Sequence, residues 1–119
     1  MDPQAFALAW RARREATDAR RAASAAAARQ EACRIARTLV GDYGAKRVYA
    51  FGSLTREGRF GEHSDIDLAV EGLPPELYLR ALGRVLRESP RPVDLIELED
   101  CPAPLRERVL TEGDLLEGV

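Results

Sequence analysis

The chain has 119 residues, 45% hydrophobic and 32% charged, a composition that fits one globular domain and leaves no room for two. Eighteen basic against twenty acidic side chains leave a formal charge of −2, which argues against dedicated DNA binding, where phosphate contacts demand a basic excess. No apolar run reaches the roughly 18–20 residues of a membrane span, and no signal peptide is read. A cytoplasmic protein without membrane contact is expected, with Cys33 and Cys101 as free thiols in a reducing compartment.

The first forty residues stand apart. They carry eight arginines and four acids, a local balance of +4, whereas the remainder sums to −6. No Gly or Pro interrupts Gln4 to Val40, and alanine, the best helix former, supplies much of the stretch. Asp2-Pro3 reads as an N-cap followed by an N1 proline, and Gly41 as the C-terminal stop. Residues 1–40 are therefore an N-terminal helical segment, which either projects from the domain as one rod or breaks near Ser24. Phe6 and Trp10, four apart on one face, make it a candidate self-association or partner-binding arm.

Residues 41–119 form the second unit. Arg47 to Phe51 is a β-prone run stopped by Gly52-Ser53. A short helical turn and a charged loop lead to Ser64–Val70, whose alternation predicts a two-faced strand. Pro75 opens a helix to about Glu88. Val93 to Leu98 is a third strand, apolar enough for the centre of a sheet. Leu105 to Leu110 is a last short helix, before a tail that forms a short strand or ends loosely. The order predicts an α+β fold of mixed α/β type, a small mixed sheet packed by helices.

Asp65 and Asp67 lie two apart on the predicted strand, so both carboxylates project to one face. Two like charges that close repel, and a fold tolerates them when a cation or several donors offsets them. Asp94 places a third acid in the next strand. Three carboxylates on two sheet strands suit Mg²⁺, which takes a few carboxylates and completes its shell with water and substrate phosphates. Gly52-Ser53 is the complementary part, because glycine admits close backbone approach and free N–H groups attract phosphate. Arg56 adds a guanidinium within reach. His63 is read as an exposed loop histidine in preference to a phosphate contact, and one His with two scattered Cys argues against structural zinc.

Gly52-Ser53, eleven residues, then Asp65-Ile66-Asp67, then Asp94 in a hydrophobic strand resembles the polymerase-beta-type nucleotidyltransferase superfamily. The run Phe51-Gly52-Ser53-Leu54-Thr55-Arg56 with Ser64-Asp65-Ile66-Asp67-Leu68 is most similar to its minimal members, the MntA-like antitoxins paired with HEPN-domain toxins. Glu57 departs from the pattern, standing where that family usually has glycine. The resemblance implies a polymerase-beta-like fold, a nucleoside triphosphate (ATP) as substrate and two Mg²⁺ ions. It also implies Asp65, Asp67 and Asp94 as catalytic and metal-binding residues, and Gly52, Ser53 and Arg56 as nucleotide-binding ones. The expected function is transfer of AMP to a hydroxyl of a HEPN toxin. Two alternatives are a small-molecule transferase of the aminoglycoside type and an antitoxin that acts by contact alone. A homo-oligomer through the N-terminal helix is a further expectation.

Overall fold

The structure, a computed structural model, describes residues 2–56, 58–61 and 63–119. Glu57, the departure noted above, lies outside the described residues.

Helix α1 (Pro3–Tyr43) is one unbroken rod of 41 residues, about 60 Å long at 1.5 Å per residue. It accounts for the longest dimension of the molecule, 64 Å against 30 and 21 Å for the other two. The Asp2 side chain accepts a hydrogen bond from the Gln4 N–H at 3.2 Å, and Pro3 occupies the first turn, as the sequence predicts. The expected stop at Gly41 is corrected. The helix continues to Tyr43 and ends at Gly44, whose φ of +78° is the left-handed conformation of a helix C-terminus. Arg84 explains the extra residues: its guanidinium holds Asp42 at 2.7 Å and lies over the Tyr43 ring, which keeps the last turn helical.

The helix buries only its second half. Ala28, Ala32, Ile35, Ala36 and Leu39 enter the core, whereas Phe6, Leu8 and Trp10 stay exposed. The rod therefore projects and does not break at Ser24.

After α1 the chain builds a four-stranded sheet of order β3-β2-β1-β4. Strand β1 (Arg47–Phe51) pairs antiparallel with both β2 (Ile66–Glu71) and β4 (Asp114–Glu117). Strand β3 (Val93–Glu97) runs parallel to β2, and helix α2 (Tyr78–Glu88) makes the crossover that a parallel pair requires. β3 is thus an edge strand, not the central one its apolar run suggested. The tail forms β4, which settles Asp114–Glu117 as strand.

Period-two alternation divides the side chains between two faces. Val48, Ala50, Ile66, Leu68, Val70, Val93 and Leu95 face α1 and α2 and form the main core. Tyr49, Phe51, Ala69 and Ile96 face the other way and pack with Val109 of helix α3 (Ala103–Glu112) in a smaller cluster. Fully burying a Leu, Ile or Val is worth about 1.5–3 kcal/mol, so the first face carries most of the stability. The second face is only partly covered.

Candidate active site

The uncovered part of the second face is where the acids gather. Across the sheet, Phe51 at the end of β1 is paired with Asp67 of β2, and Asp67 is paired with Asp94 of β3. Asp67 shares its face with Ala69, and Asp94 with Ile96, so the two carboxylates stand side by side on adjacent parallel strands. Asp67 is half-buried and Asp94 exposed. Asp65 lies one residue before β2, not inside a strand beginning at Ser64 as the alternation suggested. Its backbone is fixed from both sides. The Gly61 N–H donates to the Ser64 hydroxyl at 3.0 Å on one side, and the Ile66 N–H donates to the Pro92 carbonyl at 2.9 Å on the other.

The three acids share one electrostatic environment. Burial, and then the charges of Asp94 and Asp65, push the Asp67 carboxyl from 3.8 up to about 6.

Gly52 sits against this carboxylate. It follows Phe51, the partner of Asp67, and turns the chain at φ +72° into a short 3₁₀ turn over Gly52–Thr55. A β-carbon built on Gly52 would overlap Asp67 Oδ2, so only glycine allows the turn and the acid to meet. Three contacts hold the turn in place. Leu54 is buried, the Thr55 hydroxyl donates to the Gly52 carbonyl at 2.9 Å, and Arg29 of α1 donates to the Leu54 carbonyl at 2.9 Å.

A cleft of about 390 Å³ opens beside the turn, lined by Gly52, Ser53, Thr55 and Arg56 together with Arg59 and Arg108. Three guanidiniums around a glycine turn suit a polyanion. Of these, Gly52, Ser53 and Arg56 were expected from the sequence. Arg59 and Arg108 were not: Arg59 reads as one charge in a mixed loop, and Arg108 arrives from α3. Its only signal is that Leu105, Arg108 and Glu112, all lining the cleft, lie on one face of that helix. His63 is exposed and lines a different groove.

The acids have the chemistry of a hard-cation site, carboxylate oxygens with an unrelieved negative charge centred on Asp67. Among the described residues, no three His, Cys, Asp or Glu side chains already converge on a single ion position. Mg²⁺ does not require that convergence, because one or two carboxylates with water and substrate phosphates complete its octahedron. The residues present therefore fit Mg²⁺ held jointly with a phosphorylated ligand in the neighbouring cleft.

The family described as Polymerase beta, Nucleotidyltransferase matches residues 34–118, well over half the chain. The chain belongs to this family. The match takes in the Gly52-Ser53 turn and all three acids, and leaves most of α1 outside. A crystal structure of a toxin–antitoxin with AMP-PNP is 26% identical, with a TM-score of 0.62 over 73% of each chain. A mutant of the toxin–antitoxin MntA-HpeT is 25% identical, with a TM-score of 0.56 over 69% of each chain. A structure of tri-AMPylated Shewanella oneidensis HEPN toxin in complex with MNT antitoxin shares the fold at 21% identity, with a TM-score of 0.55 over 80% of this chain and 73% of that one. Among curated proteins nothing matches significantly. The nucleotidyltransferase fold and the α+β class expected from the sequence are those observed. Among the described residues, no helix is long and apolar enough to cross a membrane.

Proposed function

We propose that this nucleotidyltransferase is an antitoxin that transfers AMP from ATP to a hydroxyl of a partner HEPN toxin. The observation that carries the reading is the meeting of Asp67, its cross-strand partner Asp94 and Gly52 at one end of the sheet, beside an arginine-lined cleft. The two more similar structures, a toxin–antitoxin with AMP-PNP and MntA-HpeT, support the nucleotide and the kind of partner.

Gly52-Ser53, with Arg56 and Arg59, would bind the triphosphate and orient it. Asp65, Asp67 and Asp94 would hold two Mg²⁺ ions, which neutralise charge on the phosphates and acidify the acceptor hydroxyl. The acceptor oxygen then forms a bond to the α-phosphorus, the bond from that phosphorus to the bridging oxygen breaks, and pyrophosphate leaves. Asp94, more open than Asp67, would take the hydroxyl proton. Positioning and charge neutralisation supply most of the rate in such transfers. The site is shallow, with Asp65 and Asp94 both exposed, and that favours an acceptor on another folded protein over a small molecule, which an enzyme usually encloses.

Thermal denaturation tests the shared site directly. ATP with Mg²⁺, at about a hundredfold excess over Kd, should stabilise the fold by about 2.7 kcal/mol, on the order of 10 °C for a chain of this size. ATP with a chelator should give a much smaller shift, because the phosphates and carboxylates then repel. Equal shifts with and without Mg²⁺ would contradict the two-metal reading.

A further inference from the structure

A second groove, of about 610 Å³, runs between α1 and the loop that leads into Asp65. Its walls are Thr17, Arg20 and Arg21 on the helix, and Arg59, His63 and Ser64 on the loop side. It ends one residue short of Asp65, and Arg59 lines both this groove and the Gly52 cleft. The helical wall lies outside the part of the chain that the family match covers, residues 34–118. That wall is therefore an addition to the matched domain, whereas the loop wall belongs to it.

The helix is held against this loop by specific contacts. Thr17, Arg20, Arg21, Ser24 and Ala28 recur at helical spacing on one face. Ala28 is fully buried, and the Ser24 hydroxyl accepts a hydrogen bond from Arg91 at 3.0 Å. The same Arg91 guanidinium lies 5.4 Å from the ring centroid of Phe60, a loop residue only 2% exposed. Phe60 thus pins the loop under the helix, and Arg20 and Arg21 of α1 share a groove with Ser64, the residue before Asp65.

Among the described residues, carboxylates are absent from the groove lining and its charged side chains are arginines. Among the described residues, neither Arg20, Arg21 nor Arg59 makes a salt bridge, while Arg29, Arg34, Arg47 and Arg84 do. Arg20 spends one N–H on the Thr17 hydroxyl at 3.3 Å and leaves the rest of its fork to the groove. Paired guanidiniums match carboxylates in geometry as well as charge. Among the described residues, no Phe, Tyr or Trp lines the groove, so it lacks the broad stacking platform by which proteins usually grip single-stranded nucleic acid. A chain of net charge −2 is also a poor general binder of nucleic acid.

We propose that this groove docks an acidic segment of the acceptor protein, with Arg20 and Arg21 recognising its carboxylates. Docking delivers the neighbouring hydroxyl to the catalytic acids, a role that rests on the nucleotidyl-transfer reading above, whereas binding in the groove does not depend on it. Acceptor selection in this protein is then partly the work of α1.

Fluorescence anisotropy without ATP tests the docking. The probes are a tyrosine peptide flanked by glutamates, the same peptide flanked by lysines, and a single-stranded RNA oligonucleotide. The wild-type chain should bind the glutamate peptide at least about tenfold more tightly than the lysine peptide, and added salt should weaken that binding. R20Q/R21Q should abolish the preference, and R20E/R21E should reverse it. Both residues are exposed on a projecting helix, so both variants should melt with the wild type. Unchanged binding of the glutamate peptide by both variants, or tighter binding of the RNA, would overturn the proposal. Transfer from labelled ATP with Mg²⁺, read in parallel, separates the two ideas. Intact charge-dependent binding without any transfer would sink the catalytic reading and leave the groove standing.

Discussion

Asp67→Asn should abolish nucleotide transfer, lowering kcat by at least about a thousandfold, and at the same time stabilise the metal-free protein. The loss follows from removing a charged oxygen ligand at the centre of the acid cluster, an interaction worth several kcal/mol in a transition state that gathers negative charge. The gain follows from the raised carboxyl. In the fold Asp67 titrates at about 6 instead of 3.8, pushed up by burial and by Asp94 and Asp65. A group raised in this way favours the fold fully below pH 3.8, and that contribution disappears as pH rises through about 6. At pH 7–8 the wild type therefore bears an ionised, crowded carboxylate that Asn lacks. Allowing for solvent screening at a half-exposed site, the difference is on the order of 1 kcal/mol, or about 4 °C in Tm. It should shrink as pH falls towards 4. Wild-type transfer should decline over the acid side of the same range, since a protonated Asp67 is a poor cation ligand. Calorimetry of the two proteins at pH 4.5 and 7.5, with kcat against pH for the wild type, measures all three effects. A variant less stable than the wild type at pH 7.5, or one that retains transfer, contradicts the assignment.

Gly52→Ala should be nearly as damaging, for a steric reason. A methyl group at this position collides with the Asp67 carboxylate, and the residue holds φ at +72°. The left-handed backbone alone costs an L-residue about 1–2 kcal/mol. The collision must also displace either the turn that would hold the phosphates or the acid that would hold the metal. A misplacement of about 1 Å is enough to reduce turnover about a hundredfold. Gly44→Ala is the matched control. Gly44 has φ +78°, with nothing within 4 Å of an added β-carbon, and caps α1 far along the chain from the acids. It should lose similar backbone stability and keep its turnover. Equal kinetic losses at the two glycines would show that the contact with Asp67 is unimportant.

The parts of the fold legible in the sequence were those with strict periodicity. Ile66, Leu68 and Val70 alternate with Asp67 because one face of β2 meets α1 and α2 and the other holds the site, and that pattern is visible in the residues alone. Asp94 was legible instead from its place inside an apolar run, and it does lie on a strand, β3. What the pattern could not give was strand order. Val93 and Leu95 are apolar because α2 covers one face of β3, and one covered face looks the same on an edge strand as on a central one. The continuity of α1 was equally hidden, since the alanines from Ala22 to Ala28 fit an exposed rod and a broken pair alike. Gly41 misled as a stop because Arg84, distant in sequence, holds the following turn helical. Arg59 and Arg108 escaped notice because a long-range cleft made from a loop and a C-terminal helix has no local spacing.

The most direct measurement is transfer itself. The wild-type protein, Mg²⁺ and ATP labelled at the α-phosphate are incubated with the proposed HEPN-domain partner, and that partner is analysed by intact mass and peptide mapping. The predicted result is addition of AMP to a hydroxyl side chain of the partner, and no addition with Asp67→Asn. A partner that binds the protein yet stays unmodified, or one labelled equally by the Asp67→Asn variant, would contradict the account.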